Sequence, residues 1–246
     1  MLAACFALAV LAVSVVAVPA LGSEITVMSG AAVEPGLRAA VEAFRQHTGT
    51  GVKLVFATAP ETRQRIGAGE RPDVVIASPA VLDELTQAGK LAGGARVPLG
   101  RVGVGVVMRA NAPVPDVSTT DALKRAVLEA ETVIYNRASS GLFVEGLLRR
   151  LGLAEQIRAK TKRYAGTDMI EPIIHGNGRE IGFMPIAEIL HFRDRGLQLV
   201  GPLPADIQHT TSYLAEPLST SDAAQAFVRF LATPEAKSLF VAAGIE

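Results

Sequence analysis

Cysteine is nearly absent from the sequence, and tryptophan is entirely absent. The one cysteine among 246 residues is Cys5, so the body of the protein has no thiol nucleophile, disulfide framework or cysteine-rich zinc site. Net charge is absent too, because 24 Lys and Arg side chains balance 24 Asp and Glu side chains. This balance excludes a nucleic-acid-binding protein that works through bulk positive charge.

The sequence also lacks the common motifs of catalysis. It contains no nucleophile elbow, no phosphate-binding P-loop and no complete dinucleotide fingerprint. The four histidines are dispersed without metal-binding spacing, so we expect neither a metal nor another cofactor. We therefore interpret the chain as a binding protein and not an enzyme. An exported hydrolase that uses Ser139 or Ser140 with a distant histidine stays as an alternative.

The first 22 residues have the character of a secretory signal peptide. They carry no charge, and the apolar run ends at Pro19, followed by small residues that permit cleavage after Ala20 or after Gly22. We therefore predict export to a bacterial periplasm. The alternatives are an uncleaved membrane anchor and, less consistent with the order of the segments, lipidation at Cys5.

Beyond Ser23 the sequence alternates short apolar runs with amphipathic stretches, which predicts an α/β protein. The composition, with 49% hydrophobic residues, is that of a folded protein, and the length permits either one large domain or two smaller domains that each bury a core. We predict strands at Glu24–Met28, Val52–Phe56, Asp73–Ala77, Val102–Met108, Thr132–Tyr135, 162–165, Ile181–Met184, Leu197–Val200 and Ser212–Ala215. We predict helices at Val33–His47, Pro60–Gly69, Pro79–Ala88, 118–130, 141–151, 154–161, 168–175 and 186–195, and within Ser221–Ala243.

Small polar residues follow several of the predicted strands. In open α/β sheets ligands bind beyond the carboxyl ends of the strands, where helix N-termini offer free N–H groups to anions. A single such residue is more simply a helix cap, but four loops together predict an anion site. The candidate ligand-binding residues are Ser29, Gly30, Thr58, Asn136, Arg137, Ser139, Ser140 and Thr167.

Several segments resemble the molybdate-binding proteins of ABC importers. The similar stretches begin with Ile25-Thr-Val-Met-Ser-Gly-Ala-Ala-Val33 and Pro72-Asp-Val-Val-Ile76 and continue to Ala226-Phe-Val-Arg-Phe-Leu-Ala-Thr-Pro-Glu-Ala236. The resemblance implies a two-lobed periplasmic binding protein fold, with two doubly wound α/β lobes joined by hinge strands. It implies lobe boundaries of 23–105 plus 208–246 and of 106–207. It also implies a monomer that hands a small ligand to a membrane permease.

The side chains that the resemblance implies for oxyanion binding are not retained. Where the molybdate-binding proteins have side-chain hydroxyls, this sequence has Ala32, Ala59-Pro60 and Pro185. Where they have a backbone N–H donor, it has Ser140. Each lost bond to a charged ligand costs roughly 1.5–3 kcal/mol, so three losses weaken binding by about three orders of magnitude or more.

We therefore expect a periplasmic solute-binding protein that delivers a carboxylate or another small oxyanion to an ABC-type permease. The first alternative is a molybdate or tungstate importer component, and the second is an exported enzyme. Arg137 is the cationic candidate in the predicted site, because a guanidinium group pairs well with a carboxylate. A salt bridge at the surface or between the lobes is an equally good interpretation of this arginine.

Overall fold

The computed structural model describes residues 24–91 and 93–246. The predicted signal peptide and its two cleavage sites lie outside these residues. No helix in the described ranges has the length and apolarity needed to cross a membrane.

Strands and helices alternate along the described chain, as the sequence predicts. The strands are β1 (Ile25–Ser29), β2 (Val52–Phe56), β3 (Val74–Ala77), β4 (Val97–Arg109), β5 (Thr132–Asn136), β6 (Thr161–Tyr164), β7 (Glu180–Pro185), β8 (Leu197–Pro202) and β9 (Thr210–Pro217). The helices are α1 (Glu34–Thr48), α2 (Ala59–Gly67), α3 (Pro79–Gln87), α4 (Thr120–Glu129), α5 (Ser139–Arg150), α6 (Ala154–Ile157), α7 (Ile170–Ile174), α8 (Ile186–His191), α9 (Asp222–Leu231) and α10 (Pro234–Ala242).

Strand β4 belongs to two sheet regions. In the first, β1 pairs in parallel with β2 and β3, and antiparallel β9 connects β3 to the start of β4. In the second, the end of β4 pairs antiparallel with β7 and β8, and β5 lies parallel between β7 and β6. Because β4 runs through both regions, it joins the two halves of the fold together with β9.

Each sheet region has its own apolar core. Phe44, Phe227 and Phe240 are buried on the first region, whereas Leu147 and Phe183 belong to a separate cluster on the second. These clusters form because amphipathic helices place one apolar face on the sheet. The lobe boundaries 23–105 plus 208–246 and 106–207 stay a prediction.

Helix α8 follows a strand of the second region but contacts the first. Its Ala187 is fully buried within the core cluster that contains Phe44. The helix also packs against α1 and against the short 3-10 turn over Ala31–Val33. This crossing brings the residues of α8 to the junction of the two halves.

Several elements differ in extent from the sequence prediction. The helix predicted for 154–161 ends at Ile157 and continues only as a 3-10 turn, and the helix predicted for 168–175 is α-helical over Ile170–Ile174 alone. Strand β9 spans Thr210–Pro217, whereas the sequence predicts only Ser212–Ala215. Strand β4 begins at Val97 and not at Val102, because Val97 pairs with Ala215 of β9. Pro98 and Gly100 interrupt the register and conceal this pairing from the sequence pattern. The helix predicted for 186–195 ends at His191 and continues only as a 3-10 turn.

Candidate functional site

A cleft of about 610 Å³ lies between the two sheet regions. Residues at the carboxyl ends of β1, β2, β3, β5 and β7 line it, together with central residues of β4 and the first half of β9. Ligand sites of small molecules usually occupy about 300–1,000 Å³, and carboxyl ends of parallel strands are where α/β sheets bind ligands. The cleft is therefore the candidate functional site.

Several helices begin at the wall of this cleft. The first turns of α2, α3 and α5 contribute Ala59, Ala80 and Ser140 to its lining. The first N–H groups of a helix have no partner within the helix, and the helix dipole places partial positive charge there. The lining therefore attracts anions through neutral groups.

Asn136 organises the start of α5. Its buried side-chain oxygen accepts hydrogen bonds from the backbone N–H groups of Ala138 (3.0 Å) and Gly141 (3.2 Å). The backbone of residue 141 lies so close to the backbone of Asn136 that only glycine fits there. A Cβ atom at Gly141 would lie 1.8 Å from the carbonyl oxygen of Asn136. The arrangement fixes the helix N-terminus beside Ser139 and Ser140, which line the cleft.

Most of the predicted ligand-binding residues lie together in the cleft. The lining includes Gly30, Thr58, Asn136, Ser139, Ser140 and Thr167. Ser29 is not part of the lining, because its side chain is buried and its hydroxyl donates to the carbonyl oxygen of Gly30. Arg137 also lies outside the lining, with an exposed side chain. The binding role of these residues stays a prediction.

Thr58 has a structural task at the start of α2. Its hydroxyl and backbone N–H both donate to a carboxylate oxygen of Glu61, at 2.9 Å and 2.7 Å. The same hydroxyl accepts from the backbone N–H of Glu61, which completes a capping box. These bonds lower the pKa of the Glu61 carboxyl. Both side chains are therefore engaged with the helix start.

Glu188 of α8 is a buried carboxyl in the cleft lining. Only 8% of the Glu188 surface is exposed, and this surface faces the cleft. Burial raises the pKa of this carboxyl from its ordinary value of 4.5 to about 7, and the negative charge of Glu34 adds to the rise. Glu188 is therefore close to half-ionised at neutral pH.

Tyr213 of β9 adds a phenol to the same lining. Burial raises the pKa of its hydroxyl to about 12, with a further contribution from the charge of Glu188. The hydroxyl therefore stays protonated and is a hydrogen-bond donor at neutral pH. The ring lies against Gly30, where a Cβ atom would come within 2.9 Å of the ring.

The positions that lack hydroxyl groups also line the cleft. Ala32, Ala59 and Pro185 are all part of the lining and carry no polar side-chain atom. No Lys or Arg is present among the residues that the structure places in the lining. Binding of an anion here depends on backbone N–H groups, hydroxyls and helix dipoles.

Glu188, Tyr213 and His209 are not among the site residues that the sequence predicts. His209 lines the cleft, and its ring stacks on Phe143 of α5 at a centroid distance of 4.5 Å. The signal for Glu188 is its isolation, because it is a single acidic residue within the apolar stretch Ile186–Leu190. Across residues 24–91 and 93–246 no cluster of three or more His, Asp or Glu side chains could hold a metal ion.

Comparison with known proteins agrees with this architecture. The family described as bacterial extracellular solute-binding protein matches residues 25–246. A protein named aconitate isomerase, from Pseudomonas sp., is 29% identical over 233 residues, which cover 90% of this chain and 87% of that protein.

Solved structures share the fold at lower identity. The periplasmic molybdate-binding protein of Azotobacter vinelandii has a TM-score of 0.71 and 18% identity, with 90% of this chain and 98% of that chain covered. The sulfate-binding protein of Mycobacterium tuberculosis H37Rv has a TM-score of 0.69 and 21% identity, with 91% and 86% covered. The predicted two-lobed α/β fold is confirmed, and the chain belongs to the bacterial extracellular solute-binding protein family.

Proposed function

We propose that the cleft captures a small anion that carries several carboxylate groups. The observation that carries this proposal is the composition of the lining. Helix N-termini and hydroxyls are distributed around a cleft of about 610 Å³, whereas Ala32, Ala59 and Pro185 offer no side-chain donor. Separated donors suit separated carboxylates better than one compact tetrahedral oxyanion.

Capture uses both halves of the fold. The start of α2 and Tyr213 of β9 belong to the first sheet region, whereas Ser139 and Ser140 lie on α5 of the second. A ligand that bonds to both sides favours the closed arrangement of the lobes, because each polar group removed from water then has a partner. Strands β4 and β9 connect the two halves and are the proposed hinge.

Family membership supports a role in import. A signal peptide over residues 1–22 would export the protein to the periplasm, where the closed and liganded monomer would dock on the permease of an ABC importer. The first candidate function is therefore delivery of the ligand to the permease without chemical change.

The relative named aconitate isomerase supports a tricarboxylate as the ligand and also a second candidate function. Aconitate is an unsaturated tricarboxylate, so it has the several carboxylates that the cleft suits. Isomerisation of such an acid needs a group that exchanges protons near neutral pH. Glu188 has this property, which favours isomerisation as the second candidate.

Isothermal titration calorimetry with the mature protein tests the proposal. The ligands are trans-aconitate, its saturated analogue tricarballylate, molybdate and sulfate. We expect both tricarboxylates to bind more tightly than molybdate, because the loss of three hydroxyl contacts weakens molybdate binding by about three orders of magnitude relative to a site that retains them. Equal or tighter binding of molybdate, or no heat with either tricarboxylate, would contradict the proposal.

A further inference from the structure

Glu188 is a carboxyl in the cleft lining that has no hydrogen-bond partner within the described residues. The other carboxyl of the lining, Glu61, is occupied by the capping box of α2. Glu188 makes no side-chain hydrogen bond within the described residues, although it is more than nine-tenths buried. Buried polar groups are nearly always hydrogen-bonded, so an unpartnered carboxyl at a cleft surface is available to a bound molecule.

The surroundings of Glu188 keep its charge uncompensated. From α1 it faces the negative charge of Glu34, which is itself paired with Arg38 at 2.6 Å. From β9 it faces the neutral hydroxyl of Tyr213. Neither neighbour supplies a cation that would hold the carboxyl permanently ionised.

The other elements packed against α8 bring no competing partner to this carboxyl. Strand β8 has no ionisable side chain, and the carboxyl of Glu180 on β7 accepts hydrogen bonds from the N–H groups of Asn177 and Gly178. Of the two arginines of β4, Arg101 is exposed and Arg109 donates to the carbonyl oxygens of Gly176 and Asn177. The charged residues of the turn over Arg193–Arg195 are exposed.

We propose that Glu188 is the acid–base residue that moves a proton between two carbons of an unsaturated polycarboxylate bound in the cleft. This proposal rests on the proposed binding of such an anion. It goes further, because it assigns the proton transfer to one side chain.

The step balances without an oxidant, a reductant or a co-reactant. The ionised carboxylate of Glu188 takes a proton from the CH2 carbon next to the double bond, and the C–H electron pair becomes a new C=C bond. The protonated carboxyl of Glu188 exchanges its proton with water in the cleft, and the electron pair of the old double bond then takes a proton from Glu188 at the far carbon. The product is an isomer with a shifted double bond, and Glu188 is ionised again.

The lining suits the charge that develops in this step. Removal of the proton places negative charge on the neighbouring carboxylate oxygens, and the free N–H groups at the start of α5 and the hydroxyl of Tyr213 are donors for it. A carboxyl whose pKa lies near 7 is also well matched to accept and return a proton at neutral pH.

Proton exchange measured by ¹H NMR in D2O tests the proposal. Wild-type protein is incubated with trans-aconitate, and the loss of the CH2 signal and the appearance of the isomer are followed. We expect exchange in the wild type and a reduction of at least about 100-fold in Glu188→Gln, the usual range for loss of a general base. Glu188→Asp should recover part of the rate. The exposed-site variant Glu129→Gln is the matched control.

Calorimetry on the same samples separates the outcomes. Glu188→Gln should bind trans-aconitate at least as tightly as wild type, because a negative charge facing the ligand is removed. The wild-type exchange rate should rise about tenfold between pH 6 and pH 8, as Glu188 ionises. If the wild type binds trans-aconitate without exchange, or if Glu188→Gln exchanges as fast as wild type, the proposed role of Glu188 is wrong while the proposed binding function stands. Absence of binding would overturn the proposed function and this role together.

Discussion

Replacement of Glu188 by glutamine removes an ionisable group from a buried position while keeping its shape. The carboxyl makes no side-chain hydrogen bond within the described residues, so the amide loses no existing partner. We expect Glu188→Gln to raise the free energy of unfolding at alkaline pH and to leave it nearly unchanged at acidic pH.

The magnitude follows from the two pKa values. The carboxyl has a pKa of about 7 in the folded protein and an ordinary value of 4.5 in the unfolded chain. Between these pH values the folded state retains a proton that the unfolded state has released, so the free energy of unfolding falls as the pH rises. Because one pKa unit equals about 1.4 kcal/mol, the penalty reaches about 3 kcal/mol at pH 8, but stays below about 1 kcal/mol at pH 5.

Urea unfolding at pH 5 and at pH 8 measures this difference. Glu188→Gln should be more stable than wild type by about 3 kcal/mol at pH 8 and by less than about 1 kcal/mol at pH 5. Glu129→Gln, at an exposed position, should match wild type at both pH values. An equal effect of Glu188→Gln at the two pH values would contradict a raised pKa of Glu188, because the carboxyl would then ionise alike in the folded and unfolded states.

Three further substitutions test other parts of the site and fold. Gly141→Ala should lower the melting temperature and weaken binding of trans-aconitate, since its Cβ atom would overlap the carbonyl of Asn136; unchanged calorimetric and thermal data would contradict this. Arg137→Ala should change that affinity by no more than about fivefold, because exposed charges contribute roughly 0–1 kcal/mol, whereas a loss of tenfold or more would place the guanidinium on the ligand. Arg96→Ala should cost about 3–5 kcal/mol in urea unfolding, because it leaves the buried carboxylate of Glu216 without its 2.7 Å partner, and a cost below 1 kcal/mol would contradict a buried pair.

Local sequence signals predict much of the fold. Apolar runs mark β1, β2 and β3 to within one residue at each end. In β1 and β3 the run is nearly continuous, because parallel strands buried on both faces need apolar side chains. Gly49, at a φ of 70°, ends α1 where the sequence places a helix stop. These features depend on neighbouring residues alone, so the sequence is sufficient to identify them.

Long-range pairing explains what the sequence does not predict. The first residues of β4 contain Pro98 and Gly100, which have low strand propensity, and they form a strand because β9 lies beside them. The same strand pairing brings Tyr213 against Gly30, although the two residues are far apart in the chain. No local pattern contains this information.

In the candidate site, too, local signals predict some residues, whereas others depend on long-range packing. Ser139 and Ser140 are found from sequence because small polar residues after a strand indicate a helix start. Glu188 is missed, because a single acidic residue on a short helix usually faces solvent. Its burial becomes apparent only when α8 packs across the first sheet region, beside α1.

A crystal structure of the mature protein with trans-aconitate would show where the ligand binds. We expect the tricarboxylate between the lobes, with carboxylates on N–H groups at the start of α5 and with the Glu188 carboxyl beside the CH2 carbon. An empty cleft at saturating ligand, or the ligand bound outside the residues that line the cleft, would contradict this expectation.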